Sequence, residues 1–438
     1  MAIISKEEAQ TILKKVLSYS KSDECTVTLN GQDGGNIRYA RNAVSTAGES
    51  STMGLGISSS FGKKTGTATI NEFDDASLQK AVKRAEELAQ LAPENPEYMP
   101  LLGAQTYDPS VGYVAGTAAM TPDARAEMVA QSLQVSKAAS LEAAGFLENS
   151  TSFRAMMNSK GLFAYGTDTD VSFSVTVRNQ QGTGSGYVDQ SFNDVKKLDT
   201  LALSKIAAGK ASGSAGARAI EPGKYTVILE PLAAADMLGN LSFGLDARQA
   251  DEGRSFMSKK GGGTRLGEQL VSDKVTIYSD PLNVELPSNT WSFEGQPLKK
   301  TVWIDKGIVK NLSYSRYWAE KKGTQPLPGQ RGFIMEGGTK SLDELIKGTE
   351  KGILVTRFWY IRSVDPQTLL LTGLTRDGTF YIENGQIKFP IKNFRFNESP
   401  IIMLNNVEEL GKPVRSGNVV IPPMKIRDFT FTSLSDAV

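Results

Sequence analysis

Cys25-Thr-Val-Thr-Leu29 and Thr65-Gly-Thr-Ala-Thr-Ile70 decide how the N-terminal half is read. Both alternate apolar with hydroxyl-bearing or small residues at period two, the mark of strands with one buried face. The surrounding run, residues 25–73, is rich in Thr, Ser, Val and Gly and predicts several strands. Helical signals flank it. Upstream, Ser5 and Glu8 are spaced as a capping box, hydroxyl and carboxylate each satisfying an orphan amide. Ile12, Leu13, Val16 and Leu17 then mark one face of a helix to about Ser20. Downstream, Leu78, Val82, Ala85 and Leu88 form the apolar stripe of a helix over 74–91. The first unit reads helix, strands, helix.

The same order recurs. Pro93, Pro96 and Pro100 break the chain into a linker to about Met120. Thr121-Pro122-Asp123 opens a helix, with Thr as N-cap and Pro in the first turn. Strand-like segments at 146–153, 161–165 and 171–177 precede a helix over 194–210. An internal duplication is expected, units 1–92 and 121–212 within an N-terminal α+β domain of residues 1–215. The small, polar run Ala211-Ser-Gly-Ser-Ala-Gly216 marks the boundary to a C-terminal domain of residues 216–438. That domain reads as β-rich, sheet- or barrel-like, with few helices. Its strand at 225–229 runs through Glu230-Pro231 into a helix to about Arg248. Hairpins turn at Lys306-Gly307 and Asn384-Gly385, and Ser341 and Glu344 cap a short helix ending at Gly348. The fold class is α+β.

Composition removes whole classes of chemistry. The 438 residues include no histidine and one cysteine, Cys25. A Ser-His-Asp or Cys-His arrangement needs an imidazole base, and zinc sites are built chiefly from His and Cys. Lys+Arg 49 against Asp+Glu 48 gives a net charge of +1, so no global field favours nucleic acid. No stretch approaches the ~20 apolar residues of a membrane span, and the first eight residues do not read as a secretory signal. With no disulfide framework either, a cytoplasmic location is expected. Cys25 reads as a small buried residue.

Individual motifs yield little. Gly56-Ile-Ser-Ser-Ser-Phe-Gly-Lys-Lys64 has the wrong spacing for a phosphate loop and lies between strands, so it reads as a hairpin. Gly182-Thr-Gly-Ser-Gly186 lacks dinucleotide spacing, and Lys259-Lys-Gly-Gly-Gly-Thr-Arg265 reads as a surface loop. Asp236, Asp246, Asp251 and Glu252 could bind an oxygen-loving metal or act as acid and base. Ion pairs to Arg248 and Arg254 at a solvated helix end are the plainer reading. Ser204 and Lys205 are helical neighbours pointing about 100° apart, which is no dyad.

Larger patterns carry more. Val227-Ile-Leu-Glu-Pro231-Leu-Ala-Ala-Ala235, with Met237-Leu-Gly239 and Gly253-Arg-Ser-Phe256, is similar to the TldD/PmbA family. So are Gly337-Gly338 before Ser341-Leu-Asp-Glu-Leu345, Lys351-Gly-Ile-Leu-Val355, Thr372-Gly-Leu-Thr-Arg376-Asp-Gly-Thr-Phe380 and Ile421-Pro-Pro-Met-Lys-Ile426. In the zinc branch of that family the helix after this strand bears HExxxH, and a late cysteine completes the site. Here the motif positions fall on Leu238, Gly239 and Phe243, and no cysteine follows Cys25. The pattern resembles the PmbA (TldE) branch, which implies no cofactor and no catalytic residue in this chain. It further implies pairing with a TldD-type zinc subunit, or with a second copy, around a chamber for extended peptides. Asp246, Arg254, Phe256, Gly337 and Gly338 are the expected chamber or peptide-contact region.

Overall fold

The alternation over 25–73 folds into three antiparallel strands of a computed structural model that describes residues 2–241 and 244–435. The N-terminal elements are α1 (Lys6–Tyr19), β1 (Glu24–Ala40), β2 (Ala43–Phe61), β3 (Lys64–Ile70), α2 (Asp75–Leu91), α3 (Ala115–Ala118), α4 (Pro122–Ala138), β4 (Glu142–Asn158), β5 (Phe163–Arg178), β6 (Ser185–Phe192) and α5 (Thr200–Gly213). The capping box forms at α1, and Thr121 caps α4 by accepting from the Ala124 amide. The strands make one six-stranded sheet, ordered β3-β2-β1-β4-β5-β6. It is two helix–strands–helix units joined through β1 and β4, as the duplication predicts.

A glycine at matching places in the two units shows how tightly each is built. A Cβ at Gly66 would lie 2.3 Å from the Ala85 carbonyl oxygen of α2, and one at Gly186 would lie 2.0 Å from that of Ala207 in α5. Each unit thus lays a helix backbone directly on its third strand. The glycine-rich run 182–186 serves this contact. In the first unit, Cys25, Val27 and Leu29 are buried with Leu13, Val16, Leu78 and Val82.

Three expectations in this half shift. The segments at 161–165 and 171–177 merge into β5, and β6 was not anticipated, because its partly buried Asp189, Gln190 and Ser191 blur the alternation. The helix expected over 194–210 starts only at Thr200, after Asp199 accepts from the Ala202 amide. It runs on to Gly213 because Ala207, Ala208 and Ala211 are buried against the sheet. In α2 the buried position is Ala89, with Leu88 only half-buried.

The C-terminal elements are β7 (Lys224–Leu229), α6 (Pro231–Leu238), α7 (Ala247–Asp251), β8 (Ile277–Ser279), β9 (Thr301–Asp305), β10 (Ile308–Val309), α8 (Arg316–Lys322), β11 (Phe333–Met335), α9 (Leu342–Lys347), β12 (Lys351–Asp365), β13 (Leu370–Glu383), β14 (Gln386–Pro390), β15 (Asn393–Glu398), α10 (Pro400–Asn405), β16 (Val407–Leu410), β17 (Val414–Ser416), β18 (Val419–Ile421) and β19 (Met424–Ser435). Strands β12, β7, β19, β15 and β13 pair in that order, and β13 pairs back with β12, closing a five-stranded barrel. Phe394, Phe396, Phe429 and Phe431 fill it, the Phe394 and Phe431 rings 4.7 Å apart. A second sheet, β10-β9-β8-β11-β18-β17, packs into the same core. Both predicted hairpins form, with Lys306, Gly307, Asn384 and Gly385 all at positive φ as a type I′ turn requires.

The helix expected to reach Arg248 stops at Leu238. Gly239 is a poor helix former, and the Asn240 side chain donates to the Asp236 carbonyl. The chain then turns, and α7 starts afresh with Asp246 as its cap.

Candidate functional site

Helix α6 follows β7 directly, with Pro231 in its first turn, and so projects from the end of a barrel strand. One flank of it meets β12 and β6 around a cleft of about 340 Å³. Tyr187 and Asp189 come from β6, Leu232 and Asp236 from α6, and Arg357, Phe358, Trp359, Tyr360 and Ile361 from β12. The parallel pairing of β12 with β7 ends at Val355, so β12 separates from its neighbour here.

Asp236 fills the gap. Its carboxylate accepts the Phe358 amide at 2.9 Å, taking the place of a ladder partner. Burial drives its pKa up to about 7, with Asp189 adding to the rise, while the Phe358 amide and Arg357 oppose it. In a chain without histidine, this carboxyl is a group able to exchange a proton near neutrality. Arg357 lies across the Tyr187 ring, 3.9 Å from its centroid. The Arg357 Nε is also 3.3 Å from buried Asp377. Tyr187 donates to Asp189 at 2.9 Å, and burial together with that carboxylate raises the phenol pKa.

Irregular backbone shapes the rim. Tyr360 has φ +55° where the β12–β13 register slips, and on the neighbouring strand Asp377 has φ +56° and Gly378 +116°. The first irregularity turns Trp359 and Tyr360 outward, 40% and 58% exposed, with rings 5.5 Å apart. Arg376 covers Trp359 and Arg362 covers Tyr360, each 4.0 Å from the ring centroid. The second aims Asp377 at Arg357, Arg376 and the Ser185 hydroxyl, tying the barrel to the N-terminal sheet. The result is an aromatic ledge beside a buried acid.

A larger cleft of about 1030 Å³ lies between the open face of the N-terminal sheet and the segment 287–298. Thr28, Asn30, Arg154 and Asp168 line the sheet side, and Trp291 and Phe293 the other. Phe293 is 91% exposed.

The residues singled out from the sequence are spread apart. Leu238 is buried in the C-terminal core against Ile277 and Met335 of the second sheet and Gly239 ends α6, while Phe243 lies outside the described residues. A hydrocarbon and a bare backbone offer no donor, so these positions do not fit a zinc ion. Among the described residues no three His, Cys, Asp or Glu side chains gather in a way that could hold a metal. Asp246 caps α7 by accepting from the Gln249 amide at 2.8 Å. Glu252 is held below the usual range by Arg254 and Arg248, and exposed Arg254 pairs with it. Asp251 accepts from the Trp318 indole at 2.9 Å. Phe256 is buried in the core. Gly337 and Gly338 press against the backbone near Leu410 and Gly411, the Gly338 amide donating to the Gly411 carbonyl at 2.9 Å. None of these five expected contact residues lines either cleft. The run 56–64 is the β2–β3 hairpin, Ser204 donates to Ser132, and Lys259 pairs with Glu268.

Of the cleft's polar groups, only Asp236 was named from sequence. Arg357, Trp359 and Tyr360 lie in a strand whose two bulges no periodicity reveals. Asp377 stood inside a quoted motif, Arg376-Asp377-Gly378, whose Asp-Gly pair marks a backbone at positive φ.

Three family models match the chain: PmbA/TldA metallopeptidase domain 1 over residues 27–89, the central domain over 111–215, and the C-terminal domain over 222–433. A metalloprotease of Methanothermobacter thermautotrophicus is 24% identical over 294 residues, 62% of either chain. Metalloprotease PmbA of Escherichia coli O157:H7 is 22% identical across 97% of this chain and 98% of its own. The crystal structure of TldE from Thermococcus kodakarensis superposes with a TM-score of 0.87 at 18% identity, covering 98% of this chain and 100% of that one. A putative modulator of DNA gyrase from Bacteroides thetaiotaomicron gives 0.85 at 22% identity, covering 98% and 99%. No described helix is long and apolar enough to cross a membrane.

Proposed function

The chain belongs to the PmbA/TldD metallopeptidase family, and from that premise we propose that it is the non-zinc subunit of a peptide-processing protease. In this reading it supplies wall and grip while a zinc-bearing family member supplies the hydrolytic centre. The observation that carries it is the state of α6. The helix that would present zinc ligands ends in Leu238 and Gly239, and no histidine exists elsewhere in the chain to replace them. Its other flank remains functional in form, setting a buried carboxyl beside the ledge of Trp359 and Tyr360.

The ledge suits an extended peptide, whose apolar side chains lie on rings while its backbone binds without regard to sequence. Asp236 and Asp189 favour a basic side chain or an ammonium group at that point. The segment from Asp246 to Phe256, and Gly337 with Gly338, would support the chamber wall from behind. A cytoplasmic setting accords with the peptide-processing role.

The test is affinity purification of the intact chain from its native cell, followed by identification of stoichiometric partners and peptide hydrolysis assays. A co-purifying chain bearing HExxxH, with chelator-sensitive hydrolysis by the pair and none by this chain alone, is expected. Chelator-sensitive hydrolysis by this chain alone, with bound zinc in equal amount, would overturn the reading. A cellular role that persists after every zinc relative is deleted would move it to a self-paired regulatory protein.

A further inference from the structure

The polar face of the N-terminal sheet holds two charges without partners. Asn30 and Gln32 of β1, Arg154 of β4 and Asp168 of β5 all line the larger cleft. The register sets Arg154 opposite Gly166 and Ser152 opposite Asp168. The two charged residues are therefore diagonal neighbours, with Cβ atoms roughly 7 Å apart. Among the described residues, neither side chain makes a hydrogen bond or an ion pair.

Asp168 is the more telling of the two. A polar group withdrawn from water normally finds a partner, yet this half-buried carboxylate has no donor among the described residues. Burial holds its pKa above the usual carboxylate range, with Arg154 opposing the rise. The linker closes one side of it, since a Cβ at Gly112 would overlap an Asp168 oxygen. That linker backbone is already engaged. The Gly112 carbonyl accepts from Thr169 and Asn193, and its amide donates to Ser110. Across the cleft the Trp291 ring lies against Gly166, where a Cβ would come within 2.9 Å of it. Tyr107 pins this wall by donating to the Gly295 carbonyl at 2.6 Å.

We propose that this cleft binds a short peptide with both termini free, its ammonium group at Asp168 and its carboxylate at Arg154. The charges complement the ligand end for end. An extended chain advances roughly 3.5 Å per residue, which puts the two termini of a dipeptide about 6 Å apart, close to the spacing of the two side chains. The exposed carboxamides of Asn30 and Gln32 offer a donor and an acceptor each to the peptide unit between the termini. Trp291 and Phe293 take an apolar side chain. An internal segment of a longer chain carries neither terminal charge, so the site selects released fragments over unprocessed chains. This inference goes beyond the proposed protease role and does not rest on it, because the ligand meets this chain alone.

Isothermal titration calorimetry of the purified full-length chain tests it, with the dipeptide Leu-Phe, its N-acetyl form and its C-terminal amide as probes. Saturable binding of the free dipeptide is expected, weakened at least roughly tenfold by either cap. Asp168→Asn should remove the discrimination against the acetyl cap, and Arg154→Gln the discrimination against the amide. Neither side chain holds a partner within the chain, so both variants should keep the wild-type circular dichroism spectrum and thermal midpoint. Equal binding of free and capped dipeptides would overturn the inference, as would an absence of saturation at millimolar concentration. So would binding that both variants leave intact and Asp236→Asn abolishes, which would place the peptide in the α6 cleft instead.

Discussion

Asp236→Asn isolates an acid that the fold holds near neutrality. The carboxyl is displaced from an ordinary 3.8 to about 7, chiefly by burial. At about 1.4 kcal/mol per unit, this makes its ionised form roughly 4 kcal/mol costlier in the folded than in the unfolded chain. The sign follows from where the proton is held more tightly. Between pH 4 and 7 the folded chain keeps a proton that the unfolded chain has lost. Asp236 therefore contributes its full stability below pH 3.8 and loses it as pH rises through 7. The amide of the variant still offers an oxygen to the Phe358 amide and carries no charge, so it escapes this loss. Relative to the wild type, the variant should gain about 4 kcal/mol in stability between pH 4 and pH 8.5, read from urea unfolding at each pH. A difference titration of the two folded proteins is the more direct assay, because no histidine obscures the neutral range. It should show one extra proton released by the wild type near pH 7. Release below pH 5, or a stability difference flat to within about 1 kcal/mol, would refute the argument.

Other substitutions probe the frame. Gly66→Ala and Gly186→Ala each drive a methyl into a helix backbone and should each cost at least about 2 kcal/mol by chemical denaturation; a large cost at one alone would break the equivalence of the two units. Arg125→Ala removes the donor to buried Asn149 and to Glu49, both at 2.8 Å, and should cost about 3 kcal/mol in the same assay. Asp377→Asn leaves Arg357 and Arg376 facing each other without their anion; a loss of about 2–4 kcal/mol is expected, with faster proteolysis between the sheet and the barrel. Trp359→Ala and Tyr360→Ala, both on an exposed ledge, should shift thermal midpoints by no more than about 2 °C while weakening peptide capture by the assembled protease.

Local chemistry was enough for much of this molecule. The capping boxes at Ser5 and Ser341, the turns at Lys306-Gly307 and Asn384-Gly385, and the alternation from Cys25 onward depend on neighbours within a few residues. They read correctly from the sequence. So did the absence of imidazole, which no fold can remedy. Tertiary packing decided what lies between distant segments. It carried α5 past its small-residue boundary by burying three alanines. It closed the barrel through the pairing of β12 with β13, and it placed Asp236 opposite strand β12, more than a hundred residues later in the chain. A raised carboxyl pKa arises from desolvation and from charges brought close in space. Neither is a property of the residues beside it in the chain, so the cleft became visible only once the strands had met.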